Sequence, residues 1–252
     1  DVIADGCNNN LAVLKTKNGL NSALPASLRS PVSNSLAAQG VTFGNPDEGV
    51  IVRRGPDRDA RDSGQFGLAT HYMFDPLDTE FGAYFMNYHS RNPIFSGQGA
   101  PASAYSPANL VGSLARNGVP LRTAAALAPT LLPLVVAGNS SYYVEYPEDI
   151  RLYGLSFSTT LPTGTAWSGE VSYRPNAPVQ LNTTDILYSG LTPLNPNVSM
   201  LQGKPGTDQS GYRRKEVTQF QTTFTQFFDQ VMGAERLTVV GEVGWTHVGG
   251  LE

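Results

Sequence analysis

Six alternating segments, joined by connections that are short and long in turn, constrain this chain more than any other feature. In 165–174, Trp167, Gly169, Val171 and Tyr173 share one side, opposite Ala166, Ser168, Glu170, Ser172 and Arg174. That period of two marks a strand with one apolar and one polar face. The preceding run, 150–160, sets Tyr153, Leu155 and Phe157 against Gly154, Ser156 and Ser158, and Leu161-Pro162-Thr163-Gly164 joins the two as a tight hairpin. Runs 65–74 and 80–89 flank Asp75-Pro76-Leu77-Asp78 in the same way, and runs 217–228 and 237–248 flank 229–236. The spacing predicts six antiparallel strands near 65–74, 79–89, 149–160, 165–175, 215–228 and 236–248, paired as three sequential hairpins.

Within each pair the connection is about four to eight residues, whereas the pairs are separated by long stretches at about 90–141 and 176–212. Alternation of short and long connections is the habit of a membrane barrel, and strands of about 10 to 12 residues suit a tilted bilayer crossing. Soluble sandwiches more often use strands of about five or six residues. The expected fold is therefore all-β: a fragment of an antiparallel transmembrane β-barrel, with short periplasmic turns and long external loops. Residues 1–64 lack a sustained period and read as a long structured loop region, with a short helix within 20–36 and a strand at 50–54. Residues 65–252 hold the hairpins. Six to eight strands with such loops do not make a roomy barrel, and an open edge in lipid leaves backbone groups unpaired. The remaining strands are expected from the rest of the polypeptide or from other chains. Both ends read as cuts, since 1–5 lacks the basic start and apolar core of a signal peptide.

Composition agrees. Charged residues are 15% of the chain, against roughly 25% in soluble domains, yet hydrophobic residues reach only 40%. Uncharged polar residues, Gly and aromatic residues make up the difference, as strands with one wet and one dry face require. A net charge of −4 with scattered basic residues argues against nucleic acid. Cys7 is the single cysteine, so an internal disulfide is excluded. The apolar stretch 123–138 falls short of the roughly 18 residues of a membrane helix and contains Pro129 and Pro133, so it reads as a segment packed on protein.

Desolvation assigns the faces. A carboxylate toward acyl chains is costly, so the side carrying Glu170 and Glu242 is expected to face the interior, with Gln65, Ser172, Gln219, Gln221 and Thr223. Phe66, Leu68, Tyr153, Phe157, Trp167, Val171, Tyr173, Phe220, Phe224, Val239 and Val243 are expected to face lipid. Trp167 and Trp245 suit the aromatic girdles at the lipid–water boundary.

No catalytic site is expected. His71, His89 and His247 lie in or at the end of strands without a nucleophile or carboxylate at a suggestive spacing, and no metalloprotease, nucleophile-elbow or phosphate-loop motif occurs. Asp57, Asp59 and Asp62 are interleaved with Arg54, Arg58 and Arg61, which predicts a salt-bridged loop base rather than a metal site. Neither metal nor cofactor is expected.

Several segments, in order, resemble domain-of-unknown-function family 1302. They are Asp62-Ser63-Gly64-Gln65-Phe66-Gly67, Asp78-Thr79-Glu80-Phe81-Gly82 and Met86-Asn87-Tyr88-His89-Ser90-Arg91, then 146–157, Glu170-Val171-Ser172-Tyr173-Arg174-Pro175-Asn176 and Gly241-Glu242-Val243-Gly244. The resemblance implies a middle portion of a longer outer-membrane barrel of a Gram-negative bacterium, working beside periplasmic lipoproteins and RND-type exporters. It supplies no catalytic residues. The function expected is a passive conduit for apolar or amphipathic compounds. The alternative is a structural or adhesive barrel that binds partners through its long loops, with 131–136 as an exposed docking patch.

Overall fold

Strands form where the alternation is longest. In the computed structural model, which describes residues 10–14, 23–44 and 49–250, the elements run in chain order as β1 (Asn10–Val13), α1 (Ala26–Ala38), β2 (Val50–Arg54), β3 (Phe66–Phe74), β4 (Thr79–Tyr88), β5 (Ile94–Gln98), α2 (Pro107–Arg116), α3 (Leu121–Asn139), β6 (Ser141–Glu145), β7 (Ile150–Thr160), β8 (Ala166–Gln180), α4 (Thr183–Ser189), β9 (Asp208–Gln209), β10 (Tyr212–Asp229) and β11 (Arg236–Val248). The expectation about Cys7 lies outside the described residues.

The chain divides into two compact units, and neither is contiguous. One comprises 59–92, 146–179 and 213–252. Its six-stranded sheet has the order β11-β10-β8-β7-β4-β3, so every strand lies beside its nearest strand in the chain's own sequence of hairpins. The pairs β3–β4, β4–β7, β7–β8 and β10–β11 are antiparallel. The hairpins are closed by local chemistry. Asp78, at φ +45, donates its N–H to Asp75 O, a left-handed conformation that Asp tolerates better than most residues. Gly164, at φ +79, donates to Leu161 O. Arg236 Nε donates to Asp229 Oδ1 at 2.8 Å across the last turn. The sheet does not close into a barrel: β3 and β11 are its two edges.

The second unit corrects the expectation of an all-β chain with plain loops. This unit draws on 1–58, 93–145 and 180–212; β2 stands where a strand is expected at 50–54 and α1 overlaps the helix expected within 20–36, whereas the stretches within 93–145 and 180–212, expected to be loops, carry strands and helices. Its five-stranded sheet runs β1-β2-β6-β5-β9, with β2 parallel to β6. Helix α2 starts as helices should: the Ser106 side chain accepts from Asn109 N, Pro107 occupies the first turn, and Gly118 beyond its end takes φ +89. Helix α3 runs through Pro129 and Pro133 for 19 residues. Each proline removes one helical N–H, but the carbonyls left over, on Ala125 and Pro129, belong to exposed residues.

By length and composition α3 is apolar enough to cross a membrane, yet half of it is buried inside this unit. Leu131, Val135 and Val136 pack with Leu36 of α1, Leu110 and Leu114 of α2 and Val50 of β2 in one hydrophobic cluster. The expected docking patch at 131–136 is thus core: Leu131 is 1% exposed and Val136 is fully buried. The packed-segment reading of 123–138 is the one that holds.

Candidate functional site

The six-stranded sheet has two chemically distinct faces, and its strand registers decide which residues share each. Leu68 pairs with Phe85, Phe85 with Tyr153, and Tyr153 with Tyr173. Tyr72 pairs with Phe81, Phe81 with Phe157, and Phe157 with Gly169. Cross-strand partners point to the same side, so these residues form one face. It continues through Leu155 and Val171, and through Phe220 opposite Trp245, Thr222 opposite Val243 and Gln226 opposite Val239. All eleven residues expected to face outward lie on this side.

Rings knit the apolar face across strands. Phe66, Phe85, Tyr153 and Tyr173 follow one another at centroid distances of 5.8, 5.1 and 6.5 Å. Farther along, Phe157 meets Trp167 edge-on at 4.7 Å, and Trp167 stacks on Phe224. Gly169 makes the first of these contacts feasible, because a Cβ there would stand 2.6 Å from the Phe157 ring. The one indole N–H in this row is satisfied within the sheet: Trp167 Nε1 donates to Thr222 Oγ1 at 2.8 Å, and Thr222 Oγ1 donates to Ser168 O.

The opposite face is polar. Ser156 pairs with Glu170, Ser158 with both Glu80 and Ser168, and Thr223 with Glu242. Ser172, Gln219 and Gln221 share this side. His71 Nδ1 lies 2.8 Å from Glu80 Oε1, and the Tyr84 hydroxyl reaches Ser156 Oγ at 3.1 Å. Glu80, Ser156, Ser158, Ser168, Glu170 and Thr223 line an open recess at mid-sheet. His71 is set aside as a catalytic residue in the sequence, and Glu80 and Tyr84 carry no facial assignment there, because the 80–89 run looks apolar on both sides. The signal was present: Glu80 shares its phase with Tyr84, and the β4 register puts Phe81 and Phe85 on the other face. Gln65 stands just before β3, where its Oε1 accepts from His89 N at 3.2 Å.

At the end of the sheet away from the short turns, a polar clasp ties the strand ends. Arg61 donates to Glu148 Oε2 at 2.8 Å and to both oxygens of Asp149 at 2.6 and 2.8 Å. Asn87 Nδ2 donates to Gly64 O and to Asp149 Oδ1. Asn176 Nδ2 donates to Asp149 O, Arg151 N donates to Asn176 Oδ1, and Arg214 donates to the carbonyls of Glu148 and Asn176. Hydrogen bonding from Asn87, with the nearby Arg61 guanidinium, holds the Asp149 carboxyl below its ordinary value. The expected salt-bridged loop base forms in part: Arg54 pairs within the run, whereas Arg58 and Arg61 reach beyond it. Arg54 pairs with Asp57, Arg58 with Asp208, and only Arg61 enters the clasp.

Most residues of the clasp sit in the six ordered segments that carry the family resemblance. A family model described as "Protein of unknown function (DUF1302)" matches residues 1–252. The chain belongs to the DUF1302 family. No curated protein and no solved structure matches it significantly. In this DUF1302 chain the motifs 62–67, 86–91, 146–157 and 170–176 are far apart in sequence and meet at the clasp, whereas Glu80, Glu170 and Glu242 of the motifs project from the polar face.

Proposed function

We propose that the six-stranded sheet is part of the wall of an outer-membrane β-barrel in a Gram-negative bacterium, and that this barrel is a passive conduit for apolar or amphipathic compounds. The observation that carries this reading is an apolar face continuous over six strands and left bare. Leu68 is 69% exposed, Leu155 60% and Val243 59%, and the hydrophobic cluster of the chain lies wholly in the other unit. A water-soluble sheet covers such a face with a second layer. Each large apolar side chain left in water forgoes about 1.5–3 kcal/mol of burial. Acyl chains supply the missing layer.

Length and chemistry support the same orientation. The nine residues of β3 extend for about 30 Å, which at a tilt of about 40° covers roughly the height of a barrel's apolar band. Lipid then meets Phe66, Leu68, Tyr153, Phe157, Trp167, Val171, Tyr173, Phe220, Phe224, Val239 and Val243. The lumen is lined by Glu170, Ser172, Gln219, Gln221, Thr223 and Glu242, joined by Glu80 and His71. Edges β3 and β11 require partners in hydrocarbon, where unpaired backbone groups cost several kcal/mol each; further strands, of the same polypeptide or of other chains, would supply them. A periplasmic lipoprotein and an RND-type exporter are the partners that membership of this family suggests.

Entry of a hydrophobic dye into proteoliposomes containing the full-length protein tests the reading. Dye entry should rise with the protein and fall when Ser172→Trp or Gln221→Trp narrows the lumen. Recovery of the protein in the soluble fraction of cells, or dye entry equal to that of empty liposomes, would sink it.

A further inference from the structure

His89 closes β4 at 3% exposure, and both of its ring nitrogens are committed. Nδ1 accepts the backbone N–H of Asp149 at 3.0 Å. An imidazole nitrogen that accepts carries no proton, so the proton resides on Nε2, which donates to Ser63 O at 2.8 Å. The neutral ring therefore bridges the segment before β3 and the segment before β7. Asp149 itself sits at φ +56, a left-handed conformation that Asp tolerates better than most residues but that its surroundings still help to hold. The His89 bond to its N–H is one of those holds.

We propose that His89 is a proton-operated latch: neutral, it fastens Asp149 and the entry to β7, and proton uptake at Nδ1 releases them. A protonated Nδ1 would point an N–H at the N–H of Asp149, turning an attraction into a repulsion. The charged group acting on the ring is the Asp149 carboxylate on the segment before β7, which is paired with Arg61 on the segment before β3. An imidazolium competes with Arg61 for Asp149, and the competition pulls the segment away from its backbone bond. Unlatching frees Asp149 to leave its left-handed conformation. The strand ends at Phe66 and Ile150 then lose their tie through His89. The latch is independent of whether the sheet faces lipid.

Two measurements on the full chain test it. Imidazole nitrogen chemical shifts at neutral pH should show the proton of His89 on Nε2. Amide exchange over 146–152, corrected for its intrinsic rate, should accelerate about tenfold or more between pH ~7.5 and ~5, while exchange in α3 stays unchanged. His89→Asn keeps a non-titrating acceptor near the Nδ1 position and should reduce the acceleration to less than about twofold. A proton on Nδ1 at neutral pH, acceleration spread evenly over α3, or undiminished acceleration in His89→Asn would each overturn the latch. Should His89→Asn fail to fold, the nitrogen shifts and the local pattern of exchange in the natural chain decide.

Discussion

The indole of Trp167 lies parallel to the ring of Phe224, tilted by only 6° with centroids 5.6 Å apart, although the two strands come from different hairpins. The same indole is fastened by its N–H to Thr222, so one side chain joins β8 to β10 by stacking and by hydrogen bonding. A double-mutant cycle on Trp167→Ala and Phe224→Ala should give a coupling of about 0.5–1.5 kcal/mol beyond the loss of contact area. Additive effects of the two substitutions would mean that the rings only share a surface.

Val171 and Ser172 are adjacent in sequence and opposite in face. If lipid covers the apolar face, Val171→Arg should lower the stability of the protein in bilayers by about 2–4 kcal/mol, and Ser172→Arg by less than about 1 kcal/mol. Spin labels at the two positions provide a second reading. A water-accessible label at 171 together with a lipid-accessible label at 172 would invert the faces.

Leu131 and Leu121 both belong to α3 but differ in surroundings. Leu131 is 1% exposed, whereas Leu121 is 67% exposed. Leu131→Ala should cost about 2–5 kcal/mol of stability, and Leu121→Ala no more than about 0.5 kcal/mol. Chemical denaturation followed by exchange in α2 and α3 measures both. Equal losses would remove α3 from the core.

The clasp should weaken in acid. Asp149 is held below its ordinary value by the Asn87 hydrogen bond first and by Arg61 second. A carboxyl depressed on folding adds stability that is present above its unfolded value of about 4 and is lost as pH falls through the lower folded value. Carboxyl NMR should show Asp149 titrating below neighbouring surface carboxyls, and Asn87→Ala should move it back toward the ordinary range. No movement would show that Asn87 is a spectator.

Tyr143 should respond at the alkaline end. Burial, aided by the Glu145 carboxylate and opposed by Arg58, pushes its hydroxyl up to about 12. Stability from its neutral form is complete below about 10 and is lost as pH rises from there through about 12. Tyrosinate absorbance should therefore develop later for Tyr143 than for a tyrosine of the unfolded chain. Arg58→Ala should delay it further, since the guanidinium lies 3.9 Å from the ring and favours the phenolate.

Legibility in the sequence followed the length of the pattern. Period-two alternation over 9 to 18 residues located all six strands of the large sheet, and phase alone separated Glu170 and Glu242 from Val171 and Val243. In β5 and β6, of five residues each, the period is too short to stand out, whereas the equally short β2 is legible at 50–54. The Ser106-Pro107 start and Asn117-Gly118 end of α2 were readable as helix signals but lay inside a stretch taken for a loop. The course of α3 was hidden because tertiary burial of Leu131, Val135 and Val136 outweighs the local cost of two prolines. The clasp was the least legible feature. Arg61, Asn87, His89, Asp149 and Asn176 carry their meaning only after the chain has folded, because hydrogen-bond partners 23 to 88 positions apart leave no local pattern.

The unit built around α3 draws on three stretches that the hairpins keep apart in the chain. Its sheet pairs β5 with β6 inside one stretch, but β2 with β6 and β5 with β9 across stretches. Inheritance within the family is constrained accordingly. A recombination that imports 93–145 from a divergent relative would bring edges cut for another β2 and another β9. The three stretches have to vary in concert, as a gene of one piece would.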